Sequence, residues 1–252
     1  MNQTQGLGNA AFSISHKVVL EKNDRLRVAN QLLAILQTHT RKKNLLSLNI
    51  LDIGCSSGVI TDHLAKHFGK TIGIDVDKIA VEKAQKAYKR KTLSFKISSG
   101  ISLPFNNESF DIVICNQVYS YTSNPRKMVR EIHRVLKKQG LCLFTGDNLL
   151  YPMESLYHLL FIKWLPKKIQ IFLLKVIGYQ NFYIGNYKTY WGLRKLCENF
   201  KINDYTIKVL LNPRKYKFKR LERYKKLVDR IPHSCLKFLE PLFPTFVFVL
   251  QK

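Results

Sequence analysis

Between residues 45 and 146 the chain alternates short apolar runs with longer stretches whose apolar residues recur every three or four positions. The runs NILDI, KTIGID, TLSFKI, FDIVICN and GLCLFTG have the length and β-branched content of buried strands. The stretches between them have helical periodicity. One runs from about Val59 to Phe68. The next opens after Asp77, a favourable N-cap, and sets Ala80, Ala84, Ala87 and Tyr88 along one face. A third opens at Pro125, aligns Met128, Val129, Ile132, Val135 and Leu136, and is expected to stop at Gly140. Strand–helix alternation of this kind gives βαβ units, a parallel sheet and right-handed crossovers. A helical lead-in covers about Val18 to Gln37. Later strands are expected at about Ile202 to Leu211 and in TFVFVLQ near the C-terminus. No internal repeat or low-complexity linker interrupts the pattern.

Residues 149–192 have a different texture: Leu, Ile, Phe, Tyr and Trp, broken by Pro152, Pro166 and Gly178 and punctuated by Lys163, Lys167, Lys168 and Lys175. This segment reads as helical pieces with large apolar faces, either a lid over a site or an interfacial element on an anionic membrane.

Charge sharpens that alternative. The 252 residues carry 42 basic and 17 acidic side chains, net +25. The field favours an anionic partner: a phosphorylated substrate, an anionic membrane or nucleic acid. Residues 213–226 hold eight of the basic residues with Tyr216, Phe218 and Tyr224 interleaved, a composition that suits phosphate and base stacking or lipid headgroups. The alternative is a solvated helix face. The five cysteines are odd in number and widely spaced, which reads as reduced thiols in a cytoplasmic protein. No secretory signal is read in the N-terminal residues, and no apolar run is long enough to span a bilayer.

The densest chemistry lies in LDIGCSSGVIT, Leu51 to Thr61. A strand ends there in Gly54-Cys55-Ser56-Ser57-Gly58 and a helix follows at once. Glycines permit a tight turn and close backbone approach, and the free N–H groups at the helix start can face an anionic group. Asp75, at the end of the next strand, is placed to accept hydrogen bonds from a ribose cis-diol. Asp52, just inside the turn, suits a ligand carrying a positive amino group. No Lys-Ser/Thr follows the turn, so it is not a P-loop. His63 and His67 stand four apart on a helix, but with no third ligand they are expected on an exposed face, and no metal site is predicted.

These residues resemble class I S-adenosylmethionine-dependent methyltransferases of the small-molecule, quinone-methylase-like group. The family's first motif, D/E-x-G-x-G-x-G, matches Asp52-Ile53-Gly54-Cys55-Ser56-Ser57-Gly58, with Ser56 in place of the middle glycine. Its GDA-x-x-LPF-x-x-x-SFD-x-V segment matches Ser98-Ser99-Gly100-Ile101-Ser102-Leu103-Pro104-Phe105 and Ser109-Phe110-Asp111-Ile112-Val113, with Ser99 in place of the adenine-contacting acid. Its R-x-L-K-x-G-G helix end matches Arg134 to Gly140. Its Glu-His pair after the fourth strand is Ser120-Tyr121 here, so no catalytic histidine carries over. Within 149–192, Glu154, Phe161, Trp164, Leu165 and Pro166 match part of the substrate insert of uncharacterised family members, with Leu156 and Leu160 departing from it.

The resemblance implies an α/β fold: a Rossmann-like, seven-stranded, mostly parallel sheet with flanking helices and an inserted helical cap. Residues 1–40 are then a helical lead-in and 41–252 the methyltransferase domain, with the cap at about 149–192. The implied cofactor is S-adenosyl-L-methionine, held by Asp52, Gly54, Cys55, Ser56, Gly58, Asp75, Val76, Ser99, Gly100, Ile101, Asn116 and Gln117. Tyr119, Tyr121 and Asp147 are the candidates for acceptor contact or base, the alternative being that the tyrosines are packing residues with a satisfied hydroxyl. The expected acceptor is a small or lipid-linked molecule, with peripheral contact to an anionic membrane and no obligate protein partner. RNA methylation through 213–226 and a non-catalytic cofactor-fold module are the alternatives.

Overall fold

A computed structural model describes residues 22–42, 44–179, 182 and 184–252. The start of the expected lead-in, before Lys22, and the N-terminal residues read for a signal lie outside it.

The elements are α1 (Lys22–Thr40), β1 (Ile50–Ile53), α2 (Val59–Ala65), β2 (Thr71–Asp75), α3 (Lys78–Ala87), β3 (Leu93–Ile97), β4 (Phe110–Asn116), α4 (Pro125–Val135), β5 (Leu136–Asp147), α5 (Lys167–Val176), α6 (Tyr190–Leu196), β6 (Lys201–Asp204), α7 (Thr206–Leu211), α8 (Lys219–Glu222), α9 (Lys225–Val228), α10 (His233–Leu239) and β7 (Thr245–Gln251). The seven strands form one sheet in the order β3-β2-β1-β4-β5-β7-β6, parallel except for β7, which runs antiparallel to β5 and β6.

Alternate residues of the central strands feed two cores, as the two-residue strand period requires. Leu51, Ile53, Val113, Cys115 and Phe144 face α4 and α6, where Met128, Ile132, Val135 and Leu193 close over them. Ile50, Ile112, Ile114 and Leu143 face α1 and α2, packed against Leu32, Leu36, Leu64 and Phe68. The helix starts follow their caps. The Asp77 side chain accepts the Ala80 N–H, and Asn124 accepts the Lys127 N–H ahead of Pro125.

Two boundaries differ from expectation. α4 ends at Val135, and Leu136 already pairs with Phe110 in β5. Gly140 does not stop the helix. It lies within β5, where a Cβ would sit 2.8 Å from the Lys137 carbonyl oxygen, so its role is close backbone approach at the irregular start of the strand. The expected strand 202–211 is only four residues long. The Asp204 carboxylate accepts the Thr206 N–H and turns the chain into α7, which overrides the β-branched composition.

Residues 149–192 leave the end of β5 and return to it, for Lys188 bridges to Asn148 and its carbonyl accepts the Leu149 N–H. The segment has a small core of its own: Tyr157, Ile162 and Leu174.

Candidate functional site

The carboxyl ends of β1, β2 and β4 meet at the 54–58 turn. The Gly54 and Cys55 N–H groups both donate to the Ile74 carbonyl at the end of β2, at 2.8 and 3.0 Å. Asp75 fastens the turn a second time: Oδ2 accepts the Ser56 N–H at 2.8 Å and Oδ1 accepts the Asp77 N–H at 2.9 Å. Gly54 and Gly58 have φ of 78° and 77°, the left-handed region where a Cβ is unfavourable. Ser56, the non-glycine of the motif, adopts φ 47°.

The glycines also serve packing. A Cβ on Gly58 would sit 2.7 Å from Phe95 and 2.8 Å from Ala84, and one on Gly54 would sit 2.5 Å from Val118. The first seats α2 against α3 and β3. The second brings the β1 and β4 turns into contact. Cys55 points away from the rim into a cluster with Ala65, Val81, Ala84 and Phe95. Burial pushes its thiol well above the usual range, so only its backbone is available to a ligand.

Asp52 is buried beneath the turn and accepts the Thr61 hydroxyl at 2.6 Å. Burial raises its carboxyl to about 7, against the hydrogen bond from Thr61. A carboxylate so poised is stabilised by any cation that approaches it. One is already near. Arg25 of α1 reaches over the rim, with Nη2 3.5 Å from the Ser56 hydroxyl and its charge acting on Asp52 and Asp75. Burial pulls the guanidinium below its ordinary value while the two acids oppose that. No sequence motif pointed to Arg25.

Across the rim, Gln117 follows β4 at φ 60°, held by its N–H to Thr145. Its Oε1 is buried with no partner. Thr145 also donates to the Asn116 side chain at 2.7 Å. The loop with Ser99, Gly100 and Ile101 is anchored from below. The Ser98 N–H donates to the Asp75 carbonyl, the Leu103 N–H to Glu131, and Arg134 to the carbonyls of Leu103 and Phe105. Val76, at the tip of β2, is exposed.

The family described as a methyltransferase domain matches residues 51–144, the segment that builds this rim. The demethylmenaquinone methyltransferase of Lactococcus lactis subsp. lactis is 30% identical over 172 residues, 65% of this chain and 64% of that one. The fold superposes on an S-adenosylmethionine-dependent methyltransferase from Mesorhizobium loti with a TM-score of 0.56 at 12% identity, over 85% of this chain and 95% of that one. It also superposes on the [4+2]-cyclase SpnF with a TM-score of 0.55 at 16% identity, over 88% and 80%. Over residues 51–144 the chain is therefore similar in sequence to methyltransferases, and its fold is the one they share with the cyclase. Among the first curated relatives it matches, it spans between 39% and 64% of their length.

The rim fits the family's cofactor by charge and by hydrogen-bonding capacity. Asp52 suits a positive amino group, the second lone pairs of Asp75 suit a diol, and the orphaned Gln117 Oε1 awaits a donor.

On the side of the rim that faces residues 149–192 the expected acceptor-side candidates separate. Tyr119 is fully enclosed. Its hydroxyl donates to the Asp147 carbonyl at 2.6 Å and accepts the Lys188 N–H at 3.0 Å, and its ring lies against Gly146. It is a packing residue with both hydrogen-bonding roles filled, not an acceptor contact. Tyr121 is half-buried and bonded to Tyr187 and Ser155, and burial raises its hydroxyl, so it stays neutral. Asp147 is buried and accepts hydrogen bonds from Ser155 and Thr245, and burial raises its carboxyl. Three residues given no site role in the sequence, Glu154, Lys163 and Tyr187, complete the group. Glu154 accepts the Tyr187 hydroxyl at 2.5 Å and the Tyr157 N–H at 2.6 Å, and the Lys163 ammonium donates to the Asn148 carbonyl at 2.7 Å. Burial lowers Lys163 while Asp147 and Glu154 oppose that.

Two other expectations change. His63 and His67 are half-buried rather than exposed, with ring centroids 5.6 Å apart, and burial lowers both; among the described residues no three ligands cluster for a metal. In the basic run, Tyr216 is buried in the core against Tyr205 and Phe218 packs behind it, which removes two of the three rings expected to stack on bases.

Proposed function

We propose that the protein transfers a methyl group from S-adenosylmethionine to a small-molecule or lipid-linked acceptor seated between the β4 and β5 ends and residues 149–192. The observation that carries this reading is the paired grip of Asp75 on the Ser56 and Asp77 N–H groups, which fixes a diol-accepting carboxylate beside the glycine turn. The curated relatives support the acceptor class: alongside the demethylmenaquinone enzyme, a malonyl-[acyl-carrier protein] O-methyltransferase of Bacillus cereus is 28% identical over 125 residues.

When bound, the cofactor supplies a methyl group on a positively charged sulfur, activated for in-line displacement. The chain's task is then binding and orientation. Asp52 faces the amino group, and Asp75 holds the ribose. Residues 99–101, braced by Glu131 and Arg134, form the adenine side. Gln117 and Asn116 border the methionine end. On the acceptor side Tyr121, neutral at physiological pH, acts as a positioning hydroxyl. Asp147 is the group that takes a proton where the acceptor is a hydroxyl.

The cyclase on the same fold shows that fold alone does not decide the reaction. Calorimetry should therefore precede activity assays. A folded sample should bind S-adenosylmethionine and its demethylated product in the micromolar range, about −8 kcal/mol. Incubation with methyl-labelled cofactor and separated lipid, metabolite and RNA extracts should then label the lipid or metabolite fraction. No binding to a folded sample would end this reading, and label confined to RNA would replace the acceptor class.

A further inference from the structure

α5 is built the wrong way round for a helix whose outer face meets only water. It buries Gln170 and Leu174, with Leu174 at 1% exposure. On the opposite side it presents Ile169, Phe172 and Val176, spaced i, i+3 and i+7, with Phe172 and Val176 at 64% and 67%. That spacing makes one outward stripe. Lys168 and Lys175, also seven apart, line its edge.

The chain leading into α5 continues the theme. Leu160, Phe161 and Trp164 are exposed, and the last two rings are 5.0 Å apart. Phe161 is held at φ 61°, rare for a bulky side chain and costly unless something is gained. The Trp164 indole N–H is already satisfied by the Leu149 carbonyl at 2.7 Å, so what the ring leaves outward is hydrocarbon. An apolar surface of this extent on a water-facing element marks an interaction site.

Charge selects the partner. The only acidic residue in 149–192 is Glu154, and it is buried under Tyr187. Lys167, Lys168 and Lys175 are exposed beside the stripe. A second copy of the chain would bring lysines against lysines. An anionic lipid surface offers hydrocarbon for the stripe and phosphate for its edge. We infer that the outward face of α5, with Phe161 and Trp164, docks the protein on an anionic membrane. The docking is independent of methyl transfer. If both hold, the acceptor is lipid-linked.

Flotation of the full chain with phosphatidylcholine vesicles, with and without phosphatidylglycerol, tests this. Binding should require phosphatidylglycerol and fall with added salt. Phe172→Glu should lower the bound fraction about tenfold or more by placing a carboxylate at the interface. Lys168→Gln with Lys175→Gln should lower the vesicle partition coefficient about 25-fold at low salt, about fivefold per lysine. In a Trp191→Phe background, Trp164 fluorescence should shift to the blue on binding. Cofactor calorimetry and the circular-dichroism spectrum of Phe172→Glu should match those of the parent, which separates failure here from failure of the methyltransferase reading. The inference is overturned if the parent does not bind, if it binds neutral vesicles equally, or if Phe172→Glu binds as well as the parent. It is also overturned if sedimentation shows self-association that Phe172→Glu abolishes, because the occupant is then a second copy.

Discussion

α4 and α5 are helices of 11 and 10 residues, one packed on the sheet and the other on the small core of residues 149–192, and they solve opposite problems. α4 buries Met128, Val129, Ile132 and Val135 and turns Arg126, Lys127 and Arg130 outward. α5 buries Gln170 and Leu174 and turns Ile169, Phe172 and Val176 outward. The first pattern follows from a helix whose apolar neighbours, the sheet and α6, all lie on one side. The second makes sense only if another apolar phase lies outside. Both helices carry apolar residues at helical spacing, so spacing alone does not say which face is inward. The identity of the buried neighbours does.

Paired substitutions put this contrast at its largest. Ile132→Ala removes a side chain that is 1% exposed in the main core and should cost about 3 kcal/mol. Phe172→Ser removes a larger side chain from solvent and should change stability by no more than about 0.5 kcal/mol. Urea unfolding should show the first as a lower midpoint at unchanged slope and leave the second near the parent. A loss of more than about 2 kcal/mol for Phe172→Ser would mean that α5 packs on the fold through that face, and the comparison would fail.

The glycine rim shows the same contrast from the other side. In 149–192 the exposed stripe carries little of the fold, whereas on the rim the binding groups are also structural ties. Asp75→Ala should weaken cofactor binding by about 1.5–3 kcal/mol, as expected for hydrogen bonds to a charged group. Strand-end placement alone would leave folding intact. The structure adds that two backbone N–H groups lose their acceptor, so a further loss of stability of about 1 kcal/mol per group is expected. Unchanged affinity would move the ribose contact to Asp77. Gly58→Arg, by contrast, would be a poor probe of binding: it collides with Phe95 and Ala84 at a left-handed backbone position and tests packing instead.

Much of the rim was legible because it is local. Asp52, Gly54, Gly58 and Asp75 lie within one βαβ unit, where chain order dictates position. The first five strands themselves were legible from the same local patterning. What escaped notice depends on distant segments meeting. Arg25 comes from a helix 31 residues before the serine it reaches, and Glu154, Lys163 and Tyr187 converge only because 149–192 folds back on Asn148. Tyr119 is a candidate through its place after β4, and Tyr216 through the composition of the basic run. Both turned inward, because a large aromatic side chain does more for stability in the core than at the surface. The 202–211 segment departs for a similar reason: β-branched residues suggest a strand, but the Asp204 carboxylate, accepting the Thr206 N–H, turns the chain, and the Thr206 hydroxyl accepts the Val247 N–H where the helix begins.

Asp52 gives the rim a pH dependence that the outer face of α5 lacks. Its carboxyl is raised to about 7 by burial, above its unfolded value. The protonated form is thus favoured in the folded protein, and unliganded stability falls as pH rises from about 4 to 7 and then levels. A bound cation favours the carboxylate, so cofactor affinity should fall on acidification through 7, approaching tenfold per pH unit below about 6. Asp52→Asn should flatten both dependences in calorimetry and thermal unfolding. A parent affinity that does not change between pH 6 and 7 would show that Asp52 does not face the cofactor's amino group.

The smallest effect is expected at Ser56, where the rim departs from its own motif. A side chain at φ 47° costs roughly 1–2 kcal/mol relative to glycine in the folded state. Glycine costs about 0.5–1 kcal/mol more in unfolded-chain entropy. The first term is the larger, so Ser56→Gly should stabilise the protein by about 0.5 kcal/mol. Against this stands the hydroxyl's contact with Arg25, which at 3.5 Å is too long to offset the strain. Ser56→Ala separates the two, since it keeps the Cβ and the strain and loses only the hydroxyl. If Ala matches Ser in urea unfolding and Gly exceeds both, backbone strain is the whole effect. If Ala and Gly both fall below Ser, the Arg25 contact outweighs the strain, and α1 is then a working wall of the cofactor site rather than a helix laid beside it.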